Sequence, residues 1–149
     1  AKRQQRGAQM VRRNAGLAVA LVLAASLAAC QTAYTRNGWD GGYDDVRLGP
    51  DMYRITAKGN EFTDQERTQQ ILLLRAAELT LQNGFTKFLI MDQQSQVDRK
   101  LYATTSSVYT LKFPSGTLTI MMLKGDEPEA AMAYDAATID AELRPRLTK

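Results

Sequence analysis

The stretch LAVALVLAASLAAC, residues 17–30, constrains this chain most, because it decides how many residues are left to fold. It belongs to an apolar block from Ala15 to Ala29 that carries no charge and stops at Cys30, the only cysteine. As a helix the block would reach about 22 Å, short of a hydrocarbon core of roughly 30 Å. Arg12 and Arg13 precede it, and the small residues Ala28 and Ala29 close it, which is the order of parts in a secretory signal peptide. Residues 1–29 are therefore set aside as a removable leader, with 1–9 an upstream extension if Met10 is the initiator. That leaves Cys30 to Lys149, 120 residues, enough for one domain and too few for two.

Leu27, Ala28, Ala29 and Cys30 resemble the lipobox of bacterial lipoproteins. The resemblance implies that the Cys30 thiol receives a diacylglyceryl group and that a peptidase then cuts before it. Two or three acyl chains hold a protein firmly, since each buried methylene contributes about 0.8 kcal/mol while one chain alone binds marginally. The expected partner is thus a membrane, reached through covalent lipid. Gln31 and Thr32 follow the cysteine in place of an aspartate, which implies sorting to the outer membrane, facing the periplasm. With its single cysteine acylated, the chain has no thiol left for a disulfide or for catalysis.

The leader also accounts for the basic balance. Of 19 Lys and Arg, five (Lys2, Arg3, Arg6, Arg12, Arg13) precede the block; the remaining 14 face 16 Asp and Glu, a net charge of −2. Nucleic acid is not an expected partner of such a domain.

Residues 30–50 hold four glycines, a proline and mixed charges without period, and read as a lipidated N-terminus and flexible tether of roughly 25 Å. A folded domain is expected over 51–145, with 146–149 a tail. Met52 to Lys58 alternates as a strand. Thr63, Asp64, Gln65 and Glu66 form a capping box, so a helix should start at Asp64 and run to about Asn83, with Gly84 as its left-handed stop. Leu73, Leu74, Ala77 and Leu81 share one face, while Leu72, Ala76 and Leu79 widen the apolar surface so far that the helix must be covered on more than one side.

Phe85 to Asp92 is nearly all apolar, as in a central strand parallel to the first across a crossover. A polar loop, QQSQVDRKLYATT, then leads to SVYTLKF and TLTIMML, two strands turning at PSG, with Tyr109, Leu111, Phe113, Leu118, Ile120 and Met122 inward. Met132, Ala136, Ile139 and Leu143 mark a second helix, starting near Asp126, Pro128 and Glu129. The expected fold is α+β: a four-stranded mixed sheet in the order strand, helix, strand, strand, strand, helix, with its helices mainly on one face.

GGYDDVRL at 41–48, YRITAKGN at 53–60, LLLRAAELTLQNGF at 72–85 and AYDA at 133–136 together resemble an uncharacterised family of small Gram-negative outer-membrane lipoproteins. The likeness spans roughly residues 41–143, and the stretch 93–105 is shorter and less glycine-rich than the family's pattern. It implies an address and a fold, and it supplies no reaction.

The residues point away from catalysis. Histidine is absent from the whole sequence, which removes the usual general base and the commonest metal ligand. The paired acids Asp44 with Asp45, Asp92 with Asp98, and Asp126 with Glu127 read as solvated charges, and none has the spacing of a calcium loop. Arg75 and Glu78, three apart on the helix, read as a structural pair locking it to the second helix or the tether. No cofactor, no metal and no enzymatic activity are expected. The leading expectation is a lipid-anchored envelope protein with a structural or interaction role toward another envelope component. The alternative is a periplasm-facing binding module for a glycan or lipid fragment that stacks on Trp39, Tyr43 and Tyr102.

Overall fold

Asp64 starts the long helix of this chain by accepting the Arg67 amide at 2.7 Å, and helix α1 then runs Gln65–Gln82. The cap is Asp64 and not Thr63, because the Thr63 hydroxyl sits 2.7 Å from both Thr32 Oγ1 and Asn60 Oδ1. Gly84, at φ +77°, ends the helix in the left-handed region where only glycine is unstrained. The computed structural model describes residues 31–148. Leu27, Ala28, Ala29 and Cys30, with the whole leader, lie outside the described residues, as does Lys149.

Five strands accompany the helix: β1 (Gly42–Arg47), β2 (Met52–Lys58), β3 (Lys87–Ala103), β4 (Val108–Leu123) and the short β5 (Tyr134–Asp135). A 3-10 turn, Pro128–Met132, and helix α2, Ala136–Leu147, complete the fold. The strand order is β1-β2-β4-β3-β5, and every pairing among the five is antiparallel. The fold is α+β, but the sheet is neither four-stranded nor mixed. Strands β2 and β3 do run the same way, as a crossover requires, yet β4 lies between them and pairs antiparallel with each.

Three expectations change with this topology. The PSG segment is not a turn, because Pro114, Ser115 and Gly116 lie inside β4. Pro114 stands where β2 ends, so its missing N–H costs no bond on that edge. Gly116 leaves room for α1, since a Cβ there would meet Leu72 Cδ1 at 2.9 Å. The polar run after Asp92 is not a loop but the distal part of β3, and the chain reverses at Thr104–Ser107. Residues 32–50 are not a tether either. Thr32 is buried, Tyr34 and Tyr43 pack on the core, and 42–47 form an edge strand.

The core is one cluster. Ile55, Ala57, Phe88, Leu118, Ile120 and Met122 of the sheet meet Ile71, Leu72, Leu74, Ala76 and Leu79 of α1, and Ala136, Leu143 and Leu147 of α2 close it. Residues all around α1 are buried, as its wide apolar surface demands, although Leu81 is exposed and Leu73 only half-buried. Tyr109 is exposed, and Leu111 and Phe113 half-buried, because they lie on β4 beyond the helix. β3 is not covered on both faces: Met91 is exposed at a bulge between Ile90 and Asp92. The second helix starts later than expected, at an Asp135 cap, with Met132 exposed before it, and it runs through the expected tail to the buried Leu147.

Candidate functional site

Strands β3 and β4 stay paired far beyond the rest of the sheet, whose β2 ends at the Lys58–Ser115 pair. Val97–Ala103 and Val108–Pro114 thus form a two-stranded arm with both edges open, about 23 Å long at the usual rise per residue. Its tip is exposed and apolar: Leu101 at 72 %, Val108 at 64 %, with Tyr102 and Tyr109 nearly half exposed. Tyr102 and Tyr109 face each other across the strands and stack at 5.8 Å, which stiffens the tip. From Leu101 to Leu111 the sequence LYATTSSVYTL holds no charge. Immediately below come Arg99 and Lys112, directly opposite one another, and Lys100, whose ammonium lies 4.9 Å from the Phe113 ring.

The base of the arm borders a cleft of about 480 Å³, completed by the 37–41 turn and by Lys58 to Glu61. Trp39 sits on that turn, 99 % exposed. Two hydrogen bonds between Gly38 and Gly41 close it. Gly41, at φ +95°, has no space for a side chain, because a Cβ would lie 2.4 Å from the Lys58 carbonyl oxygen. Underneath, Asn60 Nδ2 donates to Asp40 at 3.1 Å, and Thr32 Oγ1 donates to the Asp40 carbonyl. The turn that presents Trp39 is therefore fixed from below. Thr32 is the hub of this region, since its amide donates to Thr63 Oγ1, its hydroxyl accepts the Asn60 amide, and its carbonyl accepts Arg67 Nε. Phe62, also exposed, adjoins the same hub.

A second constellation lies deeper. Arg75 Nε donates to Asp45 at 2.8 Å and its Nη1 to Glu78 at 3.0 Å, with all three side chains 10 % exposed. Tyr34 and Arg144 donate to the two oxygens of Glu78, at 2.5 and 2.8 Å. The Tyr43 ring lies 4.9 Å under the Arg75 guanidinium and 4.7 Å from Tyr34. Burial, then the hydrogen bond to Glu78, raises the Tyr34 phenol well above its usual range. Burial alone would lower Arg75, but its bonds to Asp45 and Glu78 outweigh that and raise it. Asp45 is thus no solvated charge. Its neighbour Asp44 is, paired at the surface with Arg36. The network joins β1, α1 and α2, and every buried side-chain polar atom among the described residues is satisfied, so it clamps the three elements together.

The three aromatics expected to stack on one ligand, Trp39, Tyr43 and Tyr102, do not converge. Trp39 borders the cleft, Tyr43 belongs to the clamp, and Tyr102 stacks at the arm tip. Among the described residues no cluster of acids could hold a metal ion, and no helix is long and apolar enough to cross a membrane. What the sequence reading missed was the first strand of the arm and its pairing: SVYTLKF was read as a strand, but Val97–Ala103, which pairs with it, was read as loop. No protein-family model, no curated protein and no solved structure matches the chain.

Proposed function

We propose that this protein is a lipid-anchored envelope lipoprotein of the outer membrane, acylated at Cys30 and facing the periplasm, with a non-catalytic structural or interaction role. The motifs that resemble small Gram-negative outer-membrane lipoproteins support this reading through their structural roles. GGY and RAAELTL meet at the Tyr43–Arg75–Glu78 clamp, and Asp135 of AYDA caps α2. The observation that carries it is a convergence at one end of the sheet, where the Thr32 hub, the exposed Trp39 turn and the base of the apolar-tipped arm adjoin. An exposed apolar device beside the predicted attachment point suits contact and not turnover. Intact mass of the membrane-extracted protein tests the anchor. A chain starting at Cys30 and carrying acyl groups is expected, and an unmodified chain that retains residues 1–29 overturns it.

A second reading has its own observation. The cleft beside Trp39 carries the acids Asp40, Glu61 and Asp98, the lysines Lys58 and Lys100, and the Phe113 ring, a mixture that suits a sugar stacked on the indole. Titrating Trp39 fluorescence with soluble cell-wall glycan fragments tests it; an unchanged spectrum removes it.

A further inference from the structure

We infer that the tip of the β3–β4 arm inserts into the surface of the bilayer that holds the Cys30 acyl chains, an inference that rests on the anchored reading above. The leash between the anchor and the domain is short. Thr32 is buried and bonded through its amide, hydroxyl and carbonyl, and only Gln31 separates it from Cys30. Two Cα–Cα steps reach about 7.6 Å at most. An acylated Cys30 therefore holds the Thr32 end of the domain against the headgroups, where a 20-residue tether would have let it stand off.

The arm leaves the domain at its anchored end. β1 begins, β2 ends and the arm leaves the sheet at this same end, as the Gly42–Lys58 and Lys58–Ser115 pairs fix. The arm base and the Trp39 turn border one cleft, and the Gly59 amide bonds the Pro114 carbonyl at 2.7 Å. The arm thus extends beyond the end of the domain that the leash holds at the membrane.

The arm is apolar at its tip and basic at its neck. The tip presents Leu101, Tyr102, Val108 and Tyr109 and carries no charge, and Arg99, Lys100 and Lys112 ring its neck. Arg99 and Lys112 are direct cross-strand partners, a like-charge pair that destabilises a ladder unless an anion joins it. Neither forms an ion pair among the described residues. Lipid phosphates at the neck would supply that anion while the tip enters the interface. The uncharged strand segment, Leu101 to Ala103, measures about 10 Å, which matches an interfacial depth of roughly 5–10 Å. Deeper entry is excluded, because both edges of the arm expose backbone groups that hydrocarbon cannot satisfy.

Trp39 is the only tryptophan, so the variant Trp39→Phe with Tyr102→Trp moves the sole indole, excited apart from the tyrosines, to the tip. Acylated protein extracted from membranes is reconstituted into phosphatidylcholine–phosphatidylglycerol vesicles, with and without acyl-brominated lipid. A blue shift, quenching by the brominated chains and protection from acrylamide are expected. Adding Arg99→Glu and Lys112→Glu should abolish the quenching while circular dichroism stays unchanged. A tip indole that remains acrylamide-accessible and unquenched in protein of acylated mass overturns the insertion alone. An unacylated mass overturns the anchored reading and the insertion with it.

Discussion

Arg75 reaches from the middle of α1 to Asp45 on β1, 30 positions earlier, and holds it at 2.8 Å with both side chains almost out of water. This contact turns an apparent linker into part of the domain. The same guanidinium bonds Glu78, which in turn takes Arg144 from α2, so one helix side chain ties β1 and α2 to α1.

Arg75→Met should be among the most damaging substitutions in the protein. It leaves Asp45 without its buried partner and deprives Glu78 of one, a situation that costs about 3–5 kcal/mol. Urea denaturation followed by circular dichroism checks this. Asp44→Ala, one residue from Asp45 but solvated, should stay within about 0.5 kcal/mol of the parent.

Tyr34 gives the stability an alkaline limb. Its folded-state pKa is raised, so the native state keeps a proton that the unfolded chain loses above about pH 10. The contribution is complete below that value and declines as pH rises through and beyond it. Denaturation midpoints measured at rising pH should fall more steeply for the parent than for Tyr34→Phe. At neutral pH the same substitution should cost about 1.5–3 kcal/mol, the range for a hydrogen bond to a charged group.

Asp135 works at the opposite end of the pH scale. The Thr138 amide and hydroxyl both donate to its carboxylate and hold its pKa below the usual range. Stability from this cap is present above the ordinary carboxylate range and is lost as pH falls through it to the lowered folded value. Asp135→Ala should loosen α2 at neutral pH and flatten the acid dependence, read by amide exchange of residues 136–140.

Gly116→Ala should destabilise by about 1–3 kcal/mol, since its Cβ would press on Leu72 and lie 3.2 Å from the Gln94 carbonyl oxygen. Truncating Leu72 in the same chain should recover part of the loss. Both quantities come from paired denaturation curves of single and double variants.

Leu101→Ser with Val108→Ser should leave the melting temperature nearly unchanged, because the arm tip touches nothing in the core. Differential scanning calorimetry checks it. A large loss would mean that the tip is part of the fold.

What the residues disclosed, and what they hid, follows from where each segment buries its side chains. α1 was legible from Asp64 to Gly84 because cap, apolar surface and stop agree locally. β2 was legible because one face is core, so Ile55 and Ala57 alternate with polar neighbours. The distal part of β3 was not, since both faces of the arm meet solvent and no apolar period arises in QQSQVDRK. Pro114 and Gly116 read as a turn because their actual reasons, the end of β2 and the approach of Leu72, are contacts made by distant segments. β1 was hidden likewise: Asp45 reads as solvated until Arg75 is placed beside it. The clamp was invisible to spacing because Asp45, Arg75 and Arg144 lie far apart in the chain, whereas the arm, a local hairpin, was hidden because its first strand carries no apolar period.

The position of β4 carries a temporal consequence. It is the last long strand to be made, yet it fills the gap between two that precede it. A chain emerging amino-terminus first, from a ribosome or through a membrane channel, can form little more than the β1–β2 hairpin and a loose helix until Leu123 is clear. Such a molecule stays threadable for most of its length and then closes late, around its middle.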